Sequence, residues 1–127
     1  MSALADGDHS ISATAKDRAG NVSAASSALP DTIDVATPTP PSTPDLVAAS
    51  DTGVSDTDNI TSLKTPTFAG TAEAGATVTL FNGTAKVGTG VAAADGVWTI
   101  TSSALTNGAH SITVKATDVA GNLGVAS

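Results

Sequence analysis

Apolar and polar residues alternate with a period of two through much of the second half of the chain. In residues 109–117, Ile112, Val114 and Ala116 share one face and polar side chains take the other, as in a half-buried β-strand. Val97–Ser102 shows the same alternation. The pattern predicts strands at Pro44–Ser50, Thr65–Thr71, Ala76–Phe81, Thr84–Val91, Val97–Ser102 and Ala109–Thr117, with a last strand from Asn122 onward.

Turn signals separate these segments at short intervals. Asn82-Gly83 is a typical β-hairpin turn, and Asp95-Gly96 predicts the next one. About seven short strands with turns at this spacing predict an all-β fold, an Ig-like antiparallel β-sandwich with Greek-key connections. Its core is expected to contain the three aromatic residues, Phe68, Phe81 and Trp98.

An internal repeat organises the whole chain. The segment Leu4–Asn21 matches Leu105–Asn122 without a gap at a constant offset (105 − 4 = 101), which is the size of one Ig-like domain. The chain therefore reads as a piece of a tandem array. We expect residues 1–33 to be the C-terminal strands of a preceding repeat, 34–44 an interdomain linker, and 45–127 a repeat truncated in its last strand.

The predicted linker is rich in proline. Five of the six prolines lie between Pro30 and Pro44. Such a segment favours extended polyproline II and acts as a semi-rigid spacer. A flexible linker is the alternative.

Composition excludes several classes of function. The net charge of −7 argues against nucleic acid and anionic membrane surfaces as partners. No apolar run approaches the roughly 20 residues of a membrane-spanning helix, so membrane insertion is not expected. The absence of Cys excludes disulfides and thiolate metal sites.

Eleven of the twelve acidic residues are Asp, and the densest cluster falls in residues 51–59. Asp51, Asp56, Asp58 and Asn59 offer hard oxygen ligands of the kind that calcium prefers. The spacing differs from that of an EF-hand loop. We therefore expect a calcium site here, with a solvated loop capped by Asp and Asn side chains as the alternative.

A second cation site is expected at the domain junction. Asp118-Val-Ala-Gly-Asn122 and its copy Asp17-Arg-Ala-Gly-Asn21 predict tight turns between the last two strands. In an Ig-like topology this turn faces the linker from the previous domain, so Asp118 could share a cation with Asp34.

The sequence contains few residues in arrangements that suit catalysis. His9 and His110 occupy equivalent repeat positions without a partnered nucleophile, so each is expected to fix the start of a strand by a side-chain hydrogen bond. No acid–base pair is apparent, and we expect no enzymatic activity. The alternative is a carbohydrate-binding or accessory module of a secreted polysaccharide-active enzyme. Trp98 would be its only stacking platform, yet the alternation points Trp98 inward.

The four motifs 51–61, 65–80, 95–100 and 105–122 occur in an order that resembles the bacterial Ig-like repeats of giant, type I-secreted, biofilm-associated surface adhesins. The resemblance covers nearly all of the chain. It implies a structural spacer of an extracellular stalk at the bacterial cell surface, which supports cell adhesion and biofilm formation. It also implies neighbouring repeats of the same polypeptide as partners, and calcium that stiffens the array through Asp51, Asp58, Asn59 and Asp118.

The incomplete last strand suggests self-association. The spare segment Asn21–Ile33 could supply the missing edge from a neighbouring chain or by folding back, because unpaired sheet edges recruit strands. The short linker makes folding back strained.

Overall fold

The computed structural model describes residues 2–127, and within them all regular structure is β. The strands are β1 (Gly7–Ile11), β2 (Leu29–Ile33), β3 (Asp45–Leu46), β4 (Thr67–Thr71), β5 (Thr77–Asn82), β6 (Ala85–Val91), β7 (Val97–Thr101) and β8 (Ile112–Thr117). The chain divides into two compact units, the first ending at Val35 and the second comprising Ala36–Ser127.

The first unit is an antiparallel pair of strands. β1 pairs with β2 so that Gly7 lies opposite Ile33 and Ile11 lies opposite Leu29. Nearer the turn, Lys16 and Val22 form an isolated bridge. Most side chains of this pair are exposed, Leu29 to 64%. A two-stranded sheet with so little burial is marginally stable in water.

The second unit is the predicted antiparallel Ig-like sandwich. One sheet has the order β3-β4-β7 and the other the order β6-β5-β8. After β8 the chain turns back along it, because Thr117 bridges Leu123 and the N–H of Ser127 donates to the carbonyl of Val114 at 2.9 Å. The all-β prediction is therefore confirmed.

The core lies between these two sheets. Trp98 and Ile100 from β7 face Val78 from β5 and Val114 from β8, and all four side chains are buried. Phe68 of β4 also faces inward, so the alternation predicted these orientations correctly.

Phe81 is a correction to the expected core. It is half-buried and lies outside the core cluster, because it follows the buried Leu80 and neighbouring residues of a strand face opposite ways. The Lys115 ammonium lies 5.8 Å from the centre of its ring, within the range of a cation–π contact.

Glycines inside the strands allow the two sheets to approach. A Cβ on Gly88 would lie 2.5 Å from Cγ2 of Ile100, and one on Gly90 would lie 3.0 Å from its Cγ1. Within one sheet, Gly70 of β4 pairs with Trp98 of β7, and a Cβ on Gly70 would lie 2.6 Å from the Trp98 ring. The large side chains of β7 therefore need these positions to be glycine.

The first strand of the sandwich is shorter than predicted. The expected strand Pro44–Ser50 is observed only at Asp45–Leu46, because the N–H groups of Ser50 and Asp51 both donate to the carbonyl of Val47 and form a turn there. The expected strand from Ala109 similarly begins only at Ile112.

The proline-rich segment between residues 36 and 44 lies with the second unit. Pro38 and Pro41 are buried, and the N–H of Ser42 donates to the carbonyl of Thr71 at 2.9 Å. A Cβ on Gly124 would lie 3.0 Å from the carbonyl oxygen of Pro38. Pro38 and Gly124 are thus in close contact, while a spacer role for the proline-rich segment between repeats stays a prediction.

Candidate functional site

Asp51 organises the loop in which calcium was expected. It follows the turn after β3, and its side chain is only 4% exposed. One carboxylate oxygen (Oδ2) accepts the N–H of Asn59 at 3.0 Å, and the other (Oδ1) accepts the N–H of Ile60 at 3.1 Å. A buried carboxylate needs such donors, and hydrogen bonds to a charged acceptor are among the stronger ones. The two ends of the loop are therefore tied together by Asp51.

Asn59 completes this connection from the other side. Its side-chain oxygen accepts the N–H of Leu46 in β3 at 3.0 Å, and its φ of 58° lies in the left-handed region. Asn tolerates that region better than most residues. Asp51 and Asn59 together form what we call the loop clamp, which fixes the 51–60 loop against β3.

The acidic side chains of this loop do not gather into a calcium donor set. Asp56 and Asp58 are exposed, and Oδ1 of Asp58 also accepts the N–H of Ile60, at 3.1 Å. Among residues 2–127, no group of three or more His, Asp or Glu side chains lies close enough to hold a metal ion. Calcium also takes oxygen ligands from amides, main-chain carbonyls and water, and its binding to this loop stays a prediction from the sequence.

The Asp118–Asn122 turn is closed by its own side chains. Oδ1 of Asp118 accepts the N–H of Asn122 and Oδ2 accepts its side-chain NH₂, both at 2.8 Å. These bonds, the side-chain one foremost, hold the pKa of Asp118 below its usual value because they favour the charged form. The geometry explains the turn without a ligand.

The same turn recurs in the first unit. Asp17 accepts the N–H and the side-chain NH₂ of Asn21 at 2.9 and 2.8 Å, and the side-chain bond is the main reason why its pKa is lowered too. Gly20 and Gly121 both have φ of 96°. The predicted repeat is thus reproduced in the hydrogen bonds. A cation shared between Asp118 and Asp34, which follows β2, stays a prediction.

The two histidines bind the main chain four residues before them, His9 from the middle of β1 and His110 from just before β8. Nε2 of His9 lies 2.6 Å from the carbonyl oxygen of Ala5, and Nε2 of His110 lies 2.7 Å from that of Thr106. A carbonyl oxygen only accepts, so Nε2 carries the proton in each ring. Nδ1 of His110 then accepts from the side-chain amide of Asn82 at 3.0 Å. Both histidines therefore have the structural role that the sequence predicts.

A groove beside β8 with a mixed polar and apolar lining was not foreseen from the sequence. It has a volume of about 660 Å³ and lies within the second unit. Its lining includes Leu46, Ile60, Leu63, Phe68, Leu105 and Ile112. Ile60 and Leu63 belong to no strand, so strand periodicity gave them no role. The available signal was two apolar residues placed between the Asp-rich loop and Pro66.

Comparison with known families agrees with this architecture. Two antiparallel sheets packed face to face, as in the second unit, define an Ig-like module. The family model of the bacterial Ig-like domain matches residues 37–127, and the chain belongs to that family. No curated protein matches the sequence. Residues 2–127 contain no helix of the length and apolarity needed to cross a membrane.

Proposed function

We propose that this chain is a structural spacer module of an extracellular bacterial adhesin stalk, without enzymatic activity, that supports cell adhesion and biofilm formation. The observation that carries the proposal is the sequence repeat at an offset of 101 residues. Equivalent hydrogen bonds form in the two units, between Asp17 and Asn21 in the first and between Asp118 and Asn122 in the second. A polypeptide that repeats one folded domain many times becomes longer with each added copy, as a stalk does.

The interior of the second unit favours a spacer over a binding module. Trp98, the only Trp of a chain without Tyr, is 1% exposed and cannot stack against a sugar. A carbohydrate-binding role therefore lacks the exposed Trp or Tyr ring that it commonly requires.

Resistance to bending requires loops that do not move freely. The loop clamp of Asp51 and Asn59 restrains such a loop in the second unit, since each of its three hydrogen bonds joins a main-chain N–H to a side-chain oxygen. Calcium stiffening is part of the proposal on the basis of the sequence alone, through the Asp-rich segment and the junction of Asp118 with Asp34.

The spacer role is tested by joining copies of the 101-residue repeat. Chains of two, four and six repeats should increase in maximum dimension linearly when measured by small-angle X-ray scattering. A dimension that grows much more slowly than the number of repeats, as in a collapsed chain, would contradict the proposal.

Calcium is tested separately by thermal unfolding with chelator and with millimolar calcium. In chelator, Asp51→Asn should lower the free energy of unfolding by about 1–3 kcal/mol because it leaves buried N–H groups poorly paired. The exposed Asp56→Asn should change it by about 0.5 kcal/mol or less. If calcium binds, saturation at 10 to 100 times its Kd should add about 1.4–2.7 kcal/mol to the original chain and less to both variants.

Asp95→Asn is the control, because Asp95 lies outside the predicted ligand set. It should keep any calcium-dependent rise in full. Equal melting of the original chain in calcium and chelator would remove calcium from the proposal and leave the loop clamp as the source of rigidity.

A further inference from the structure

The outer face of the β6-β5-β8 sheet carries a distinct set of side chains. Val78 and Leu80 of β5 are buried, so the residues that alternate with them point away from the core. Directly opposed residues of neighbouring strands share a face, so the register adds one row from β6 and one from β8. We call this surface the lysine face. Its basic residues, and those of its hydroxyl residues that bond no other group of residues 2–127, are Lys86, Lys115, Thr77, Thr79, Thr113 and Thr117.

The lysine face has positive charge without any negative charge. β5, β6 and β8 contain no Asp or Glu, and Lys86 and Lys115 are their only charged residues. The strands of the facing sheet contain no Lys or Arg. Within residues 2–127, neither lysine forms an ion pair with a carboxylate. Charges more than about 8 Å apart are largely screened at physiological ionic strength, so this face attracts anions although the chain carries a net charge of −7.

The chemistry of the face favours a ligand with many oxygen acceptors. The Lys115 ammonium lies 5.8 Å from the centre of the Phe81 ring, so the ring positions this lysine and is not free for stacking. What remains are two ammonium groups and four Thr hydroxyls, all of which can donate. Carboxylates suit the ammonium groups, and sugar hydroxyls suit the Thr side chains, because a hydroxyl both donates and accepts.

The distance between the two lysines requires an extended ligand. Lys86 lies opposite Phe81, and Lys115 lies opposite Thr79, so the two lysines are two strands and two residues apart. With strands spaced by about 4.8 Å and residues by about 3.4 Å, their Cα atoms are about 12 Å apart. A single small anion does not reach both side chains at once. A polymer with a carboxylate on each of its sugars does.

The first unit has the same kinds of side chain at the equivalent positions. The offset of 101 residues aligns Ser12-Ala-Thr-Ala-Lys16 with Thr113-Val-Lys-Ala-Thr117. The three outward positions of each segment hold two hydroxyl residues and one lysine, but Lys16 stands where the second unit has Thr117. The charge is thus present in both copies while its position along the strand differs. A polymer whose charges repeat along its length tolerates such a difference.

We propose that the lysine face binds a linear acidic polysaccharide, with its carboxylates on Lys86 and Lys115 and its hydroxyl groups on the Thr side chains. This binding goes beyond the spacer role, which requires no ligand. It needs no stacking ring, because charge-assisted hydrogen bonds supply the attraction. Exposed ion pairs are individually weak, so one copy binds weakly, and successive repeats of a stalk strengthen the attachment by acting together.

Polygalacturonate is a suitable probe, because its fully methyl-esterified form has the same sugars without the charge. Binding of the full 127-residue chain to each immobilised polymer is measured by biolayer interferometry in chelator and low salt. We expect the chain to bind the acidic form at least tenfold more tightly than the ester, and added salt to weaken that binding. Equal binding to both forms, or no binding at millimolar chain concentration, would overturn the proposal.

The variant K86Q/K115Q tests the two lysines themselves. It should bind polygalacturonate at least tenfold more weakly, whereas K86R/K115R should bind as the original chain does. Lys64→Gln is the matched control, because Lys64 lies in the loop before β4 and outside the lysine face. Trp98 fluorescence in urea shows that each variant remains folded. If Lys64→Gln reduces binding as much as K86Q/K115Q does, the attraction is not specific to this face and the proposal fails.

Two further polymers test the class of the ligand. Poly-L-glutamate has carboxylates without sugar hydroxyls, and double-stranded DNA has phosphates at high density. Both should bind more weakly than polygalacturonate at the same concentration of charge. Tighter binding of poly-L-glutamate would assign the face to an acidic protein, and tighter binding of DNA would assign it to nucleic acid. Either result would overturn the proposal, and neither would affect the growth in length that tests the spacer role.

Discussion

At the scale of single residues, the packing of the core depends on glycines that face large side chains. The period of two predicted that Trp98, Ile100 and Val114 face inward, and each is buried. It could not indicate that Gly88 and Gly90 make room for Ile100, because that need arises from a residue on the facing sheet. Alternation specifies which face a residue occupies and carries no information about its neighbour across the core.

Gly88→Ala should therefore destabilise the second unit although alanine is the better strand residue. Its Cβ would meet Ile100 at 2.5 Å, and overpacking of this kind costs about 1–3 kcal/mol. Denaturant unfolding followed by Trp98 fluorescence measures the loss.

The control is Val91→Ala on the same strand, where Val91 is exposed and the change should stay within about 0.5 kcal/mol. In an I100A background Gly88→Ala should cost less, because alanine lacks the Cγ2 atom that the new Cβ would meet. Equal stability of Gly88→Ala and the original chain would mean that the sheets separate at little cost.

At the scale of elements, the positions of the turns were easier to predict than the partners of their Asp side chains. The Asp-Xaa-Ala-Gly-Asn pattern predicted the turn at 118–122 and its closure by side-chain hydrogen bonds. The Asp-rich loop was harder. Its composition suits both a cation site and a loop that caps itself, and it could not indicate that Asp51 is buried and accepts the N–H of Asn59.

The Asp118 turn should make stability depend on acid pH. Its pKa is lowered in the folded state from an ordinary value of 3.8, so the turn's contribution is complete above that value and is lost as pH falls through the lower, folded-state pKa. Asp118→Asn should therefore be less stable than the original chain at neutral pH. The difference between the two should shrink below about pH 4.

Unfolding in urea at a series of pH values measures this difference. Asn122→Ala removes the side chain that bonds Asp118. Like Asp118→Asn, it should make stability depend less on pH in the acid range. Asp56→Asn controls for the loss of one negative charge. If the difference in free energy of unfolding between Asp118→Asn and the original chain stays constant from neutral to acid pH, a lowered pKa of Asp118 in the folded state is contradicted.

At the scale of the whole molecule, the repeat was the most informative feature of the sequence. An offset of 101 residues required no structural knowledge, and it predicted both the domain size and the equivalence of the two turns. The sequence did not show that Pro38 and Pro41 pack into the second unit, since proline-rich composition predicts an extended backbone and says nothing of what covers it.

The second unit should fold by itself. Every residue of the core cluster lies between Leu46 and Val114, so the fragment 36–127 contains the whole core. Globular proteins unfold with an enthalpy of about 0.7 kcal/mol per residue near 60 °C, so the unfolding enthalpy of this fragment should be about 60–65 kcal/mol at that temperature. Differential scanning calorimetry of the fragment measures this value, and a fragment without a cooperative transition would show that the first unit is required.

The approach of Pro38 to Gly124 joins two segments that lie far apart along the chain. A Cβ at Gly124 would lie 3.0 Å from the carbonyl oxygen of Pro38, and the N–H of Gly124 donates to the carbonyl of Ala116 at 2.8 Å. Force that separates the segment before β3 from the segment after β8 would therefore load this contact and this hydrogen bond together. A larger side chain at position 124 would push the two segments apart and weaken the sandwich against such force.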